Sequence, residues 1–411
     1  MSKKTAHQAP TKRQLAKWER QNRIRRIIII ASIIFIIGII SCVGGGYYAD
    51  NVKPFHEKVI TVNNVSFNMR YYIDMLDAYT KTQDIAANES YYYTDTVAKF
   101  IEDTELMKQG AEELNVTVSD AELDARISAL SFPDTQAYRD LIEGILLGGR
   151  FLDHFNSEIP NETLEAYIQL MFVESEDVAK EVIEKTNSGE NFTDLVREFS
   201  YNNATKPYDG NVGWLPGELM PSNFAETFNL SPGEISQPIY DNSTNKSVGY
   251  WLIKVNETDP ENGSNISAML LGSEQEALEI KSELDNGSDF GELARNYSQH
   301  ISKYSSGEIG WLKNESSAFS DAFNKVAFQL SAGQVSEPVK DETVTTKGGY
   351  WIVKVVDKQQ RAVDDELRTT LENKYFTDWL DQRLKNSTVE NKLDINRKSW
   401  AAEQVMKIEG K

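Results

Sequence analysis

The sequence predicts an α+β protein with one transmembrane helix near its N-terminus, a helical module formed by both ends of the chain, and two domains with small antiparallel sheets. Three observations lead to this prediction. An uncharged apolar run occupies residues 27–49, helical periodicity dominates residues 50–165, and a stretch of about 100 residues occurs twice between residues 166 and 358. The repeat is the most informative of the three, because it divides most of the chain into comparable parts.

The N-terminal residues have the pattern of a membrane anchor. Residues 1–26 carry nine Lys and Arg side chains and one acid, and residues 27–49 carry no charge. A helix needs about 20 apolar residues to cross a bilayer, and the positive-inside rule places such a basic tail in the cytoplasm. We therefore expect a single-pass protein of the cell membrane with an extracytoplasmic body. Lipoprotein anchoring at Cys42, within a lipobox-like sequence, and a cleaved secretory signal are the alternatives.

Charge and composition exclude several classes of partner. The net charge is −20, and because the basic tail holds +8, the remaining chain holds −28. Such an acidic body repels phosphate backbones, so we expect no nucleic-acid partner. Cys42 is the single cysteine and the chain has four histidines, so no disulfide can form within the chain and no spacing indicates a metal ion. We expect neither a metal nor a cofactor.

Helical patterns occur at both ends of the body. Residues 50–165 are predicted to form a mostly helical domain, in which Ser119 and Glu122 have the spacing of a capping box that begins a helix. Near the C-terminus, an amphipathic helix is predicted at about 364–385. A helix of this kind cannot bury its apolar stripe alone. We therefore expect residues 359–411 to pack on the N-terminal domain.

An internal repeat lies between these ends. The first copy contains GNVGWLPGELMPSNFAETFNLSPGEISQPIY and then GYWLIKV, and the second contains GEIGWLKNESSAFSDAFNKVAFQLSAGQVSEPVK and then GYWIVKV. Equivalent residues lie 97 to 100 positions apart, for example Ser200 and Ser298, Trp214 and Trp311, Gly233 and Gly333, and Pro238 and Pro338. This period is too long for a solenoid unit, so each copy is predicted to be a small domain, at 166–259 and 265–358.

Each copy has the same order of predicted elements. An apolar strand leads to two helices, a glycine-containing loop, a short helix, and a closing strand that contains Gly-Tyr-Trp. Strands and helices in this order and at this size predict a small α+β domain with an antiparallel sheet.

Each copy resembles the parvulin (PpiC-like) family of peptidyl-prolyl isomerases. The matching stretches are Gly-Trp-Leu, Phe-x-Leu-x-x-Gly-x-Ile/Val-Ser-x-Pro and Gly-Tyr-x-Ile/Leu-x-Lys-Val. The segment TVAKFIEDTELMKQGAEELNVTVSDAELDARI resembles the N-terminal domain of SurA- and PrsA-type extracytoplasmic chaperones. The resemblance covers roughly residues 55–390. It implies a folding factor whose parvulin domains lower the barrier to rotation about X-Pro bonds, which is about 18–20 kcal/mol.

The resemblance implies an apolar pocket for the proline ring in each copy. The corresponding residues are Val212, Met220 and Phe224 in the first copy and Ile309, Phe319 and Phe323 in the second. An equally good interpretation is that these residues form the hydrophobic core of a small domain.

The polar residues of the family site are missing from both copies. The first family histidine falls at about Leu170 and Ala268, the second is replaced by Trp251 and Trp351, and the family's Cys or Asp is replaced by Asn202 and His300. Because His300 is the one histidine in the two copies, no alignment restores an imidazole pair. We therefore expect weak or no isomerase activity. Trp251 and Trp351 could instead bind peptides through their flat apolar faces, or belong to the sheet core.

These observations favour a binding protein over an enzyme. We expect a chaperone that holds unfolded or secreted client polypeptides and contacts the membrane through residues 27–49. An active peptidyl-prolyl cis/trans isomerase is the alternative, and it rests on the family alone. A scaffold for a membrane complex is compatible with the acidic surface, but no motif indicates it.

Overall fold

The computed structural model describes residue 48 and residues 52–130, 133, 135–314 and 316–409. The chain divides into two compact units. The first, which we call the end unit, contains the described residues up to Ile159 and from Glu366 onwards. The second, which we call the central unit, runs from Pro160 to Asp365 and contains both copies of the repeat.

The end unit is mostly helical and draws its elements from both ends of the chain. Its strands and helices are β1 (Lys58–Val62), β2 (Val65–Asn68), α1 (Met69–Thr82), α2 (Thr94–Ala111), α3 (Asp120–Leu130), α4 (Gln136–Glu158), α10 (Asp365–Lys385), β11 (Val389–Asn391) and α11 (Ile395–Glu409). The three strands form one antiparallel sheet in the order β11-β1-β2.

Side-chain caps begin the N-terminal helices. The Asn68 side chain accepts a hydrogen bond from the backbone N–H of Tyr71 at 2.9 Å and begins α1. Ser119 accepts one from Glu122 at 3.2 Å, so the predicted cap at the start of α3 is present. Each cap satisfies a backbone donor that has no partner within its helix.

The C-terminal helices pack against the N-terminal segment of the end unit. Trp379 of α10 contacts Phe151 of α4 with ring centroids 4.4 Å apart. Ala401 and Val405 of α11 are fully buried in the same core as α1 and α2. The pattern at 364–385 predicted α10 closely, whereas β11 and α11 were not predicted. Their apolar positions become interpretable only against the N-terminal core.

The central unit contains two four-stranded antiparallel sheets with helices packed on them. Its main elements are β3 (Glu162–Val173), α5 (Glu176–Asn187), α6 (Phe192–Phe199), β4 (Asn211–Pro216), β5 (Ile239–Lys246), β6 (Gly249–Asp259), β7 (Gly263–Leu271), α7 (Glu274–Asp285), α8 (Phe290–Tyr297), β8 (Glu308–Leu312), α9 (Asp321–Ala327), β9 (Val339–Asp341) and β10 (Thr346–Ala362). The combination of helices and small antiparallel sheets confirms the predicted α+β class.

The two sheets exchange their closing strands. One sheet has the order β4-β3-β10-β5 and the other the order β8-β7-β6-β9. The closing strand of the second copy, β10, therefore completes the sheet of the first copy, with Trp351 opposite Phe172. The closing strand of the first copy, β6, completes the sheet of the second, with Trp251 opposite Leu270. We call the resulting structures the first fold and the second fold.

The predicted boundaries at 166–259 and 265–358 describe the sequence copies, and the folds divide the chain differently. The first fold combines residues 162–246 with 346–362, and the second fold uses the residues between them. The sequence pattern does not distinguish the two arrangements, because GYWLIKV and GYWIVKV present the same apolar positions to a neighbouring strand.

The structure contradicts the prediction of a single-pass membrane protein. Among the described residues, no helix is both long and apolar enough to cross a bilayer. Helix α4 has 23 residues, but charged side chains such as Arg139, Asp140 and Glu143 interrupt its apolar positions. The predicted anchor at 27–49, apart from Tyr48, and the alternative anchoring residue Cys42 lie outside the described residues.

Candidate functional site

In the first fold, an indole ring lies among the predicted pocket residues. Trp351 is 7% exposed, and its ring centroid lies 5.5 Å from that of Phe224 and 4.7 Å from that of Phe172. Met220 is buried in the same cluster. Val212 is 39% exposed and lies outside this cluster. The apolar positions of the pocket are therefore largely filled by one side chain of the second copy.

The second fold has the same arrangement with its own set of residues. Trp251 is 2% exposed, and its ring lies 5.1 Å from Phe323 and 5.7 Å from Phe319. The two phenylalanine rings stack at 4.2 Å, and Ile309 packs against the cluster. This aromatic cluster is a well-packed interior, with offset and edge-to-face contacts of the kind that stabilise aromatic cores.

The exchange of closing strands determines which tryptophan packs against which set of predicted pocket residues. Sequence order groups Trp251 with Met220 and Phe224 of its own copy. The structure instead places Trp351 with those residues and Trp251 with Phe319 and Phe323. Each site is therefore composite, with its apolar wall from one copy and its indole from the other.

Two aspartates that the sequence analysis missed fix the orientation of these indoles. The Trp251 N–H donates to Asp341 at 3.0 Å, and the Trp351 N–H donates to Asp241 at 2.9 Å. The two aspartates lie 100 positions apart, at equivalent places in the repeat. This equivalence was the signal that could have identified them. A buried indole N–H needs such an acceptor, so the pairs hold the rings inside the clusters.

Hydrogen bonds keep Asp341 ionised inside the second fold. Burial acts to raise the pKa of Asp341, but donors from Ser320, Thr343 and Trp251 outweigh it and hold the pKa below its usual value. The Ser320 hydroxyl lies 2.6 Å from the carboxylate and the Thr343 hydroxyl 2.7 Å from it. In the first fold, Ser243 and Thr244 depress the pKa of Asp241 in the same way against the effect of burial.

Asn202 and His300 act as local caps. The Asn202 side chain accepts hydrogen bonds from the Thr205 N–H at 2.8 Å and from its hydroxyl at 2.9 Å. The His300 ring nitrogen Nδ1 faces the Ser302 N–H at 3.2 Å and its hydroxyl at 2.9 Å. Both residues therefore stabilise the turn that follows the second helix of their fold. Burial lowers the pKa of His300, so its ring is neutral at pH 7.

The remaining family positions carry no acid or base. Leu170 is partly buried and Ala268 is fully buried, both within the apolar clusters. An imidazole pair beneath a twisting peptide is therefore absent from both folds. In the described part of the chain, no group of three or more His, Cys, Asp or Glu side chains could hold a metal ion.

An apolar groove lies elsewhere, on the surface of the end unit. It has a volume of about 650 Å³ and is formed mainly by α3 and α4. Its apolar lining residues are Ala125, Ala129, Leu130, Ile142, Ile145 and Leu146. The Ile145 side chain is 51% exposed, whereas Ile142 is buried in a cluster with Leu123 and Ile127 of α3. Glu122 and Arg126 also line the groove. This groove offers exposed apolar surface that the filled clusters of the two folds do not.

Comparisons of the sequence identify both copies of the repeat. Residues 172–257 and 268–357 match the family of the PPIC-type PPIase (rotamase) domain. The chain is 25% identical over 311 residues to the chaperone SurA of Methylobacillus flagellatus, a match that covers 68% of this chain and 63% of that protein. It is 37% identical over 125 residues to the foldase protein PrsA of a Geobacillus species, covering 30% of this chain and 43% of that one. The chain thus spans less than two thirds of these relatives.

A solved structure shows a more distant likeness. The crystal structure of the peptidylprolyl isomerase PrsA from Bacillus cereus is 14% identical in sequence and aligns with 85% of this chain and 99% of its own. The TM-score of that alignment is 0.30.

Proposed function

Because both copies of the repeat match the PPIC-type PPIase domain family and the chain is similar to SurA and PrsA proteins, we propose that it binds unfolded polypeptides and has weak or no isomerase activity. The observation that carries this proposal is the pair of buried indoles, Trp251 and Trp351, in the pocket positions of both folds. Among the described residues, each ring is buried in the cluster that also contains the predicted proline-pocket side chains Met220 and Phe224, or Phe319 and Phe323.

The chemistry of the reaction supports the same conclusion. Rotation about an X-Pro bond has a barrier of about 18–20 kcal/mol, and a catalyst must bind the twisted peptide better than the planar one. Opening either cluster to admit proline would displace an indole that is hydrogen-bonded to an ionised aspartate. The free energy needed for that displacement opposes substrate binding in the planar and the twisted state alike.

The groove of the end unit is the proposed contact for clients. Unfolded chains expose apolar side chains, and burial of apolar surface contributes about 25 cal/mol per Å². Ile145, Leu146 and Leu130 provide such surface, and Glu122 and Arg126 line the same groove. Contacts of this kind are individually weak and tolerate many sequences, which suits a chaperone better than a single tight site does.

Suppression of client aggregation tests this proposal. The variant Ile145→Glu places a charge in the groove, and Ile395→Glu, at a residue 72% exposed outside the groove, is the matched control. Light scattering of a denatured client protein after dilution is expected to rise with Ile145→Glu and to stay low with the control. Equal suppression by both variants, with unchanged circular dichroism spectra, would exclude the groove as the client site.

A further inference from the structure

The two closing strands make several equivalent contacts in the sheets that they complete. In the first fold, the Val353 N–H donates to Ser236 at 3.0 Å, and in the second fold the Ile253 N–H donates to Ser336 at 2.9 Å. The tryptophan–aspartate bonds repeat in the same way, and so do the cation–π contacts of Lys354 with Phe192 and of Lys254 with Phe290. Each strand would therefore find equivalent partners in the sheet of its own copy.

The connections are long enough for that second arrangement. In the observed arrangement, Gly349 lies opposite Asp241 and Gly249 opposite Asp341. If each strand closed its own copy, Gly249 would face Asp241, and residues 242–248 would form a hairpin loop of seven residues. Residues 342–348 would form an equal loop in the second copy. Loops of this length are ordinary in compact domains.

The two arrangements differ mainly in residues 242–248 and 342–348, through which the chain passes from one fold to the other. We call these two segments the junction. There the Thr346 hydroxyl donates to the Val248 carbonyl at 2.5 Å, a hydrogen bond between the two copies. Lys246 is paired with Thr346 in the sheet and donates to the carbonyls of Gly348 and Lys347. Each of these contacts joins residues 242–248 to residues 342–348, so we expect both to be lost when each segment forms its own hairpin loop.

The same junction also carries an unfavourable contribution. Lys246 is 2% exposed beside a polar cavity of about 280 Å³, although Glu174 and Glu276 also line that cavity. Burial lowers the pKa of Lys246 to about 8, because the interior disfavours the ammonium form. In a hairpin loop of seven residues, Lys246 would instead lie at the surface, where loops normally run. The burial of Lys246 therefore opposes the exchanged arrangement, whereas its hydrogen bonds to the Gly348 and Lys347 carbonyls and the Thr346 hydrogen bond favour it.

We propose that the central unit is a two-state device, in which each closing strand can complete either the sheet of the other copy or the sheet of its own. The exchanged state is the major one, and the residues at the junction, Thr346 and Lys246, set the balance between the two. In both states each cluster contains one tryptophan, so the switch changes how the copies are linked and leaves the composition of the clusters nearly constant.

Disulfide equilibria in the full chain, with Cys42→Ser as background, test this proposal. Gln169 and Lys354 are strand partners in the exchanged state, and antiparallel partners are close enough for a disulfide. Gln169→Cys with Lys354→Cys therefore reports the exchanged state. Gln169→Cys with Lys254→Cys reports the self-closed state. Gln169→Cys with Lys281→Cys, on α7, is the control pair that is adjacent in neither.

Each pair is refolded in a glutathione redox buffer, and the effective concentration of its cysteines is measured from the fraction of disulfide. The pair at Gln169 and Lys354, which we call the Lys354 pair, is expected to have the highest effective concentration. The pair at Gln169 and Lys254, the Lys254 pair, is expected to have an intermediate effective concentration, above that of the control pair. Thr346→Val is expected to raise the effective concentration of the Lys254 pair about fivefold, because it removes a hydrogen bond of the exchanged state.

Three results would overturn the proposal. The effective concentration of the Lys254 pair could equal that of the control pair, with and without the junction substitution. This result would mean that only the exchanged state is populated. With the junction residues unchanged, the effective concentration of the Lys254 pair could equal or exceed that of the Lys354 pair, which would make the self-closed state the major one. The effective concentration of the Lys254 pair could also fail to rise with Thr346→Val. If Thr346→Val does not fold, the comparison of the Lys254 pair with the control pair still decides.

Discussion

The first and second folds share one architecture but cover an equivalent tryptophan differently. In the first fold, Trp214 lies under the Arg361 guanidinium, 4.6 Å from its ring, and beside Tyr167 at 5.4 Å. In the second fold, Trp311 faces Asn265 across the sheet and is 42% exposed. The buried indoles Trp251 and Trp351, by contrast, donate to equivalent aspartates in both folds. The comparison indicates that the clusters are constrained by packing, whereas the outer face of each sheet is free to differ.

Removal of one buried indole is expected to have the largest effect and to act on the opposite copy. Trp351→Ala should cost about 3–5 kcal/mol, because it leaves a cavity in the first fold. Hydrogen exchange of backbone amides is expected to accelerate in β3 and to change little in β7. Trp251→Ala is the matched control and should reverse this pattern. Acceleration of β7 by Trp351→Ala would show that the strands are not exchanged as described.

Loss of the indole acceptor is expected to have an intermediate effect. Asp341→Asn removes charge-assisted hydrogen bonds, each of which contributes about 1.5–3 kcal/mol. The pKa of Asp341 is lowered by folding, so its contribution is present above the ordinary value of 3.8 and is lost as the pH falls through the lower folded pKa. Thermal unfolding at acidic pH should therefore become less pH-dependent in Asp341→Asn. An unchanged acid dependence would exclude Asp341 as a source of it.

Truncation of Trp214 and truncation of Trp311 are expected to change stability by different amounts in the two folds. Trp214→Ala is expected to cost about 1 kcal/mol, since it loses the cation–π contact with Arg361. Trp311→Ala, at an exposed position without that cover, should stay within about 0.5 kcal/mol. Urea unfolding followed by circular dichroism measures both. Equal costs would mean that the guanidinium does not stabilise the first fold.

A small effect is expected where one fold has histidine and the other asparagine. His300→Asn introduces the cap that the first fold uses at Asn202 but removes ring contacts with Trp251 at 5.2 Å and Phe319 at 6.0 Å, so it should cost about 0.5–1 kcal/mol at pH 7. Because burial lowers the pKa of His300, the unfolded chain binds the proton more readily, and stability falls as the pH drops below 6.5. The variant should lose this dependence, and thermal unfolding across that pH range measures it. A persistent dependence would assign it to another group.

The sequence predicted the elements of each copy well because local patterns determine them. The apolar stripe at 364–385 corresponds to α10, and the capping pattern at Ser119 corresponds to the start of α3. The α+β class followed from the repeat. The pairing of strands was not predictable in this way, because GYWLIKV and GYWIVKV bury the same positions in either sheet.

The candidate site was predictable in its members more than in its arrangement. Met220, Phe224, Phe319 and Phe323 lie beside a tryptophan, but the tryptophan comes from the other copy. Asp241 and Asp341 were missed because an acidic residue near a turn has many ordinary explanations. The end-unit groove was missed because α3 and α4 reveal their exposed apolar side chains only once they are packed together.

Exchange between cis and trans forms of a short X-Pro peptide, followed by NMR with the purified full chain, tests the central claim most directly. The filled clusters predict an exchange rate equal to that of the peptide alone, with a time constant of tens of seconds or longer. A rate well above the uncatalysed one, unchanged in Trp251→Ala and Trp351→Ala variants that remain folded, would contradict the claim that the buried indoles close the two sites.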